Sequence, residues 1–194
     1  EPGVLELCGR ALRNMEAAGF IVEDAKLGFA PEKIWDAWIT MRGFLVCGML
    51  GALYRDTKKR TQMKPEAIWE VENGLDLTAA KVYAASLERS AWYRQICRLF
   101  EKYDVLALPS AQVFPFDKEI TWPREINGRN MDTYHRWMET VVPATMAGAP
   151  AISVPAGFNT MGLPMGLQLI GKPGGDLELL KVAQAYEKQI TDNR

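Results

Sequence analysis

Histidine, cysteine and serine are all scarce in this 194-residue chain, and each scarcity narrows what it can do by itself. A single histidine, His135, excludes a histidine-built metal centre unless carboxylates or thiolates stand beside it. Cys8, Cys47 and Cys97 are odd in number and far apart, which gives neither a disulfide framework nor a zinc spacing. Each lies in an apolar helical pattern, so core thiols in a reducing, cytoplasmic setting are expected. Serine occurs only at positions 86, 90, 110 and 153. None of these has the glycine-rich surroundings that expose a nucleophile and supply backbone donors to an oxyanion.

An excess of either charge is also lacking. With 23 Lys and Arg against 24 Asp and Glu, the net charge is −1 and the isoelectric point about 6.0. That balance gives no electrostatic reason to expect nucleic acid or an anionic membrane as partner. The densest basic cluster, Arg55–Arg60, contains Asp56 and reads as a solvated loop. Gly43–Leu53 is apolar but short for a bilayer span and is bracketed by Arg42 and Arg55, so a buried helix is expected. There is no repeat, low-complexity linker or isolated carboxylate pair. Gly171-Lys172-Pro173-Gly174-Gly175 fails as a phosphate loop because proline follows the lysine where Ser or Thr is needed. The chain opens on Glu1-Pro2 and runs straight into helix-forming sequence. A piece cut from a longer protein is expected, and a processed chain would look the same.

Periodicity supplies the elements. Val4, Leu7, Cys8, Ala11, Leu12 and Met15 fall on one helical face that stops at Gly19, and Phe20–Val22 reads as a strand. After Pro31, the residues Ile34, Trp38, Met41, Leu45, Met49 and Leu53 continue one face of a long helix. Gly43, Gly48 and Gly51 weaken that helix and suit close packing. A short helix follows Pro65, ended by Asn73-Gly74, and a long one follows Thr78 as N-cap, carrying Val82, Tyr83, Leu87, Ala91, Ile96, Leu99 and Phe100. Val105–Leu108 reads as a buried strand. Pro115, Pro123 and Asn127-Gly128 leave 111–131 irregular but rich in aromatics. Asp132 or Thr133 can cap a helix that Pro143 breaks or bends. Strands at Ala151–Phe158 and Met165–Ile170 lead to a last helix capped by Asp176, with Leu177, Leu180, Ala183 and Ile190 on one side. This order predicts a single α/β domain over 1–194, with helices covering a sheet of about four strands and further strands missing.

The stretch Pro143–Gly171, with Ala149-Pro150-Ala151, Val154-Pro155-Ala156-Gly157 and Gly162-Leu163-Pro164, resembles the C-terminal signature of the amidase signature family. Phe100-x-x-Tyr103-Asp104-Val105-Leu106-x-Leu108-Pro109-Ser110 is similar to another strand of that family. Asp176-Leu177-x-Leu179-Leu180-x-x-Ala183-x-Ala185-Tyr186-Glu187 is similar to its closing helix. The resemblance implies the C-terminal part of a mixed-sheet fold and hydrolysis of carboxamides to acid and ammonia or amine. It also implies a serine nucleophile, a cis-peptide serine and a lysine, all outside this segment, with no cofactor and no catalytic residue carried over.

The site expected within this segment is a wall of the acyl-side pocket built from Phe114, Trp122, Tyr134, His135 and Trp137, on the strength of aromatic density in an irregular region. His135 alternatively reads as a helix-start residue bonded to the preceding loop. The expected partners are the missing N-terminal catalytic part and a small amide substrate, with a homodimer possible and neither nucleic acid nor membrane. Competing readings are a non-catalytic binding or assembly module and a fragment similar to the A-type component of the tRNA amidotransferases.

Overall fold

A computed structural model describes residues 1–192. In chain order the elements are helices α1 (Val4–Ala17), α2 (Pro31–Arg55), α3 (Thr57–Arg60), α4 (Pro65–Leu75) and α5 (Ala79–Lys102), then strand β1 (Val105–Pro109). Short strands β2 (Glu125–Ile126) and β3 (Arg129–Asn130), a 3-10 helix (Arg136–Val141) and helix α6 (Val142–Ala147) follow. Strands β4 (Ala151–Phe158) and β5 (Pro164–Gly171) and helix α7 (Asp176–Asp192) complete the fold. Two compact units emerge: one of Glu1–Leu27 with the chain from Ile96 onward, the other of Gly28–Gln95.

In the first unit β5 is central in an antiparallel sheet of order β1-β5-β4. Alternation sends Met165, Leu167 and Leu169 to one face, where they meet Val154 and Ala156 of β4. Val4, Leu7, Cys8, Ala11 and Met15 of α1 and Leu179, Ala183 and Tyr186 of α7 close over that face. Leu167 and Leu169 are 1% and 0% exposed, so each contributes roughly 1.5–3 kcal/mol of burial. Pro155 and Gly157 flank a bulge in β4, where Gly157 takes φ 123°, a backbone angle that suits glycine. The Tyr186 hydroxyl donates to the Pro155 carbonyl at 2.6 Å and fastens α7 to that bulge.

The expected apolar face of α1 is the buried one. Elsewhere the structure corrects the periodicity. Phe20 and Val22 pack against the core from an irregular segment and pair with no strand, so three of the four expected strands form the sheet. The buried side of α7 is Leu179, Ala183 and Tyr186, whereas Leu177 and Leu180 face solvent. Of the expected face, Ala183 is buried and Ile190 packs against the core, while the bulky Tyr186 brings Leu179 under cover in place of Leu177 and Leu180. Asp176 is the first helical residue of α7, not its cap, and there its carboxylate suits the helix dipole. Pro143 marks the expected interruption: the 3-10 helix ends at Val141, and Pro143 sits in the first turn of α6, where its missing N–H costs no bond. Asn127 and Gly128, at φ 49° and 80°, turn the chain between β2 and β3.

In the second unit α2 packs on α4 through glycine. A Cβ on Gly74 would collide with the Gly43 carbonyl and the Cys47 Cβ. Asn73-Gly74 therefore lies inside the end of α4, and Gly74 admits the neighbouring helix. This glycine-lined contact corrects the second half of the expected face of α2, while Ile34 is buried as expected. Ile34, Trp35, Ala37, Thr40, Gly43 and Gly51 are buried, while Leu45, Met49 and Leu53 are exposed. In α5 the expected Ile96, Leu99 and Phe100 are buried, whereas Tyr83 and Leu87 are exposed and Ala85 and Trp92 are buried in their place. The run 43–53 belongs to a 25-residue helix, and α2 is the one helix among the described residues long and apolar enough to cross a bilayer by length and composition. Arg55–Arg60 is no plain loop either: Asp56 accepts from the Lys58 and Lys59 backbone amides and caps α3. Glu70, largely buried, pairs with Arg42.

Gly74→Ala should destabilise the protein by about 1–3 kcal/mol through overpacking. Gly48→Ala, whose Cβ would meet nothing within 4 Å, should stabilise it by about 0.5–1 kcal/mol. Thermal melts of the two variants check the contrast, and equal melting temperatures would contradict the glycine-mediated contact.

Candidate functional site

The face of the sheet opposite α1 and α7 carries the polar groups. Because side chains alternate, Gly166, Gln168 and Ile170 of β5 share this face with Ala151, Ser153 and Pro155 of β4. Ser153 stands opposite Gln168 in register. Ser110 follows β1 directly, and its backbone N–H donates to the Gly166 carbonyl at 2.9 Å, which brings its side chain to the same face.

There the Ser110 and Ser153 hydroxyl oxygens lie 2.6 Å apart in a mutual hydrogen bond. Gly166 makes the space: a Cβ there would collide with the Ser153 hydroxyl and stand 2.7 Å from that of Ser110. Gln168, only 5% exposed, donates its side-chain amide to the Thr140 carbonyl at 3.1 Å. Ser110, Ser153 and Gln168 line an open cavity of about 340 Å³, walled also by Val141, Ala144 and Thr145. Thr145 spends its hydroxyl on the Val141 carbonyl. A larger groove of about 700 Å³ runs along α1 and the turn Asn159–Met161 and includes Phe114.

Sequence reasoning singled out Ser110 and Ser153 separately and did not bring them together. The signal was present, since one follows Pro109 and the other precedes Val154-Pro155 at strand positions. The antiparallel register that superposes them is not written in either motif.

The five aromatic and histidine candidates divide between two packing groups. Trp122, Tyr134 and Trp137 meet in a small core with Val113, Ile126 and Met131. Trp122 lies edge-on to Tyr134, with ring centroids 6.4 Å apart, and Arg124 lies over the indole at 3.7 Å. His135 is 2% exposed and lies edge-on to Tyr134 at 5.0 Å. Phe114 instead joins the core beneath α1. Near the 3-10 helix, the buried Thr133 and Thr140 hydroxyls and the Trp137 indole N–H bond to no described atom. Buried polar groups are costly unless paired, so this is the part of the unit least satisfied from within the chain.

The nucleophile inventory is equally informative. Ser86 and Ser90 donate back to the carbonyls of Tyr83 and Ser86 within α5. Among the described residues no serine hydroxyl bonds to a lysine. Burial pushes the Cys8 thiol up, away from the reactive thiolate. Hydrogen bonds to Glu23 and Tyr103 hold the Lys102 ammonium above its ordinary value, so it stays protonated. Among the described residues there is no group of three or more His, Cys, Asp or Glu able to hold a metal ion.

A family model described as Amidase matches residues 1–180. The chain is 38% identical over 123 residues to a fatty acid amide hydrolase of Medicago truncatula, covering 60% of this chain and 19% of that protein. It is 37% identical over 101 residues to a putative amidase of Synechocystis sp. (strain ATCC 27184 / PCC 6803 / Kazusa), covering 52% and 20%. A glutamyl-tRNA(Gln) amidotransferase component of Dehalococcoides mccartyi (strain CBDB1), its A-type chain, is 30% identical over 153 residues, covering 65% and 29%. Among solved structures, a bacterial aryl acylamidase of the amidase signature enzymes superposes with a TM-score of 0.85 at 25% identity, over 97% of this chain and 40% of that one. The chain thus spans less than a third of the length of these curated relatives.

Arg136 anchors the start of the 3-10 helix, gripping Asp132 with two bonds of 2.9 and 2.7 Å and Glu139 at 3.3 Å. The hydrogen bond from Arg136 holds the Asp132 carboxyl below its usual range. A depressed carboxylate stabilises the fold above its unfolded pKa of about 3.9, and the contribution is lost as pH falls through the folded value. Asp132→Asn should therefore cost roughly 0.2–1 kcal/mol at neutral pH, the range for an exposed ion pair. The deficit should vanish under strongly acidic conditions. Paired melts at neutral and acid pH check this, and a pH-independent deficit would contradict the ion-pair origin.

Proposed function

The chain belongs to the amidase signature family, and we propose that it serves as the C-terminal part of an enzyme that hydrolyses carboxamide C–N bonds. The carrying observation is the extent of the match: the acylamidase superposes on 97% of this chain while 40% of its own length is used. In this reading the remaining length supplies serine, cis-peptide serine and lysine. The serine oxygen attacks the amide carbon and backbone N–H groups hold the resulting oxyanion. The amine leaves with a proton, and water releases the acid from the acyl-enzyme.

This chain contributes shape. The Trp122, Tyr134, His135 and Trp137 region forms the acyl-side wall together with Phe114 of the neighbouring core, and the buried polar atoms beside it meet groups from the catalytic part. Exposed Leu45, Met49 and Leu53 on α2 are surface that the same missing part, or a second copy, would cover. Cytoplasmic placement without cofactor, nucleic acid or membrane completes the reading.

The similarity to the tRNA amidotransferase component supports a second reading, in which the amide is a glutamine side chain. The near-neutral charge gives a tRNA-bound assembly less support.

The 194-residue chain alone should show no amidase turnover, whereas the intact gene product should hydrolyse anilides. Serine-dependent turnover by the isolated chain would overturn the division of labour. Light scattering should show the isolated chain associating, and a monomer at high concentration would count against exposed surface awaiting a partner.

A further inference from the structure

We propose that the Ser110–Ser153 hydroxyl pair and the Gln168 side chain form a subsite that binds a carboxamide group, accepting its N–H and donating to its C=O. The inference rests on the amidase reading for its substrate and on the sheet face for its chemistry.

Two hydroxyls in one hydrogen bond use one proton between them, so the pair keeps a single O–H to donate outward. Gln168 is oriented by its own donor bond. Its NH₂ must face the Thr140 carbonyl, an acceptor, which fixes the amide flip and leaves the side-chain carbonyl as the free end. That carbonyl accepts no hydrogen bond from any described residue, and Gln168 lines the same cavity as both serines. The register places Ser153 directly opposite Gln168, so donor and acceptor stand side by side.

One donor beside one acceptor matches a carboxamide. An ester lacks the N–H, and a carboxylate presents only acceptors, which would meet the Gln168 carbonyl as a like dipole. The subsite therefore favours the amide over its hydrolysis product, the acid. Gly166 is the enabling residue, because any side chain there would part the two hydroxyls. A peptide unit from another segment offers the same chemistry. The proposal commits to the substrate because the cavity is open and large enough for a small amide.

Calorimetric titration of the intact gene product with benzamide, benzoate and methyl benzoate tests this. Benzamide should bind preferentially. Ser153→Ala, at an exposed edge position, should weaken it about tenfold, Ser153→Thr should restore it, and Gln168→Met should abolish the preference over the ester. Equal affinity for all three probes, no binding of any, or a preference surviving Gln168→Met overturns the subsite. A blocked glycine dipeptide binding more tightly than benzamide would assign the groups to main-chain docking and overturn the substrate assignment. Anilide hydrolysis is measured separately. Hydrolysis without benzamide preference removes the subsite and keeps the amidase reading, and preference without hydrolysis does the reverse.

Discussion

Strand β5 is the constraint on which the first unit depends. It is paired on both sides and covered on both faces, so its backbone has no freedom to shift without unmaking two ladders. A slip of one residue would turn Leu167 and Leu169 out of the core and drive Gln168 into it, exchanging apolar burial for an unpaired amide. The register that protects the core also places Gly166 between two serine hydroxyls and Gln168 beside one of them. Packing and polar display are thus one decision, made by the alternation of a single strand.

What was legible in the sequence follows from how many neighbours each element has. Helix α1 packs on one sheet face, so one apolar stripe suffices and periodicity reads it directly. Helix α2 packs on α4 through glycines, so periodicity reads Ile34 correctly but misplaces Leu45, Met49 and Leu53, which are exposed. Helix α7 offers two stripes sharing Ala183, and only the fit of Tyr186 against Pro155 chooses between them. The strands at 105, 151 and 165 were legible because they combine apolar runs with Gly and Pro boundaries. Phe20–Val22 shared the composition but packs on the core from an irregular segment.

The site divides the same way. Aromatic density singled out the irregular segment 111–131 and the helix start after it, and Trp122, Tyr134 and Trp137 meet there in one small core. Phe114, however, is drawn into the core beneath α1. The serine pair escaped because its members are 43 residues apart in sequence and meet only through antiparallel register. Local motifs carry composition and boundaries, whereas juxtaposition across strands is set by pairing.

The ionisable groups point to a division of labour within the family fold. Six of them are held away from neutrality: Asp132 lies below its ordinary value, and Cys8, Tyr54, Lys102, Arg136 and Tyr186 lie above theirs. A general base works best when its pKa lies near the operating pH. These six groups are tuned for structure, being buried or tied to fixed partners. Among the described residues, the Ser110 and Ser153 hydroxyls bond to each other and no serine hydroxyl bonds to a lysine. Under the proposed reading, reactive groups lie on one part of the chain and neutral hydrogen-bonding groups on another, because a hydroxyl pair held by strand register orients a bound group without needing a shifted pKa.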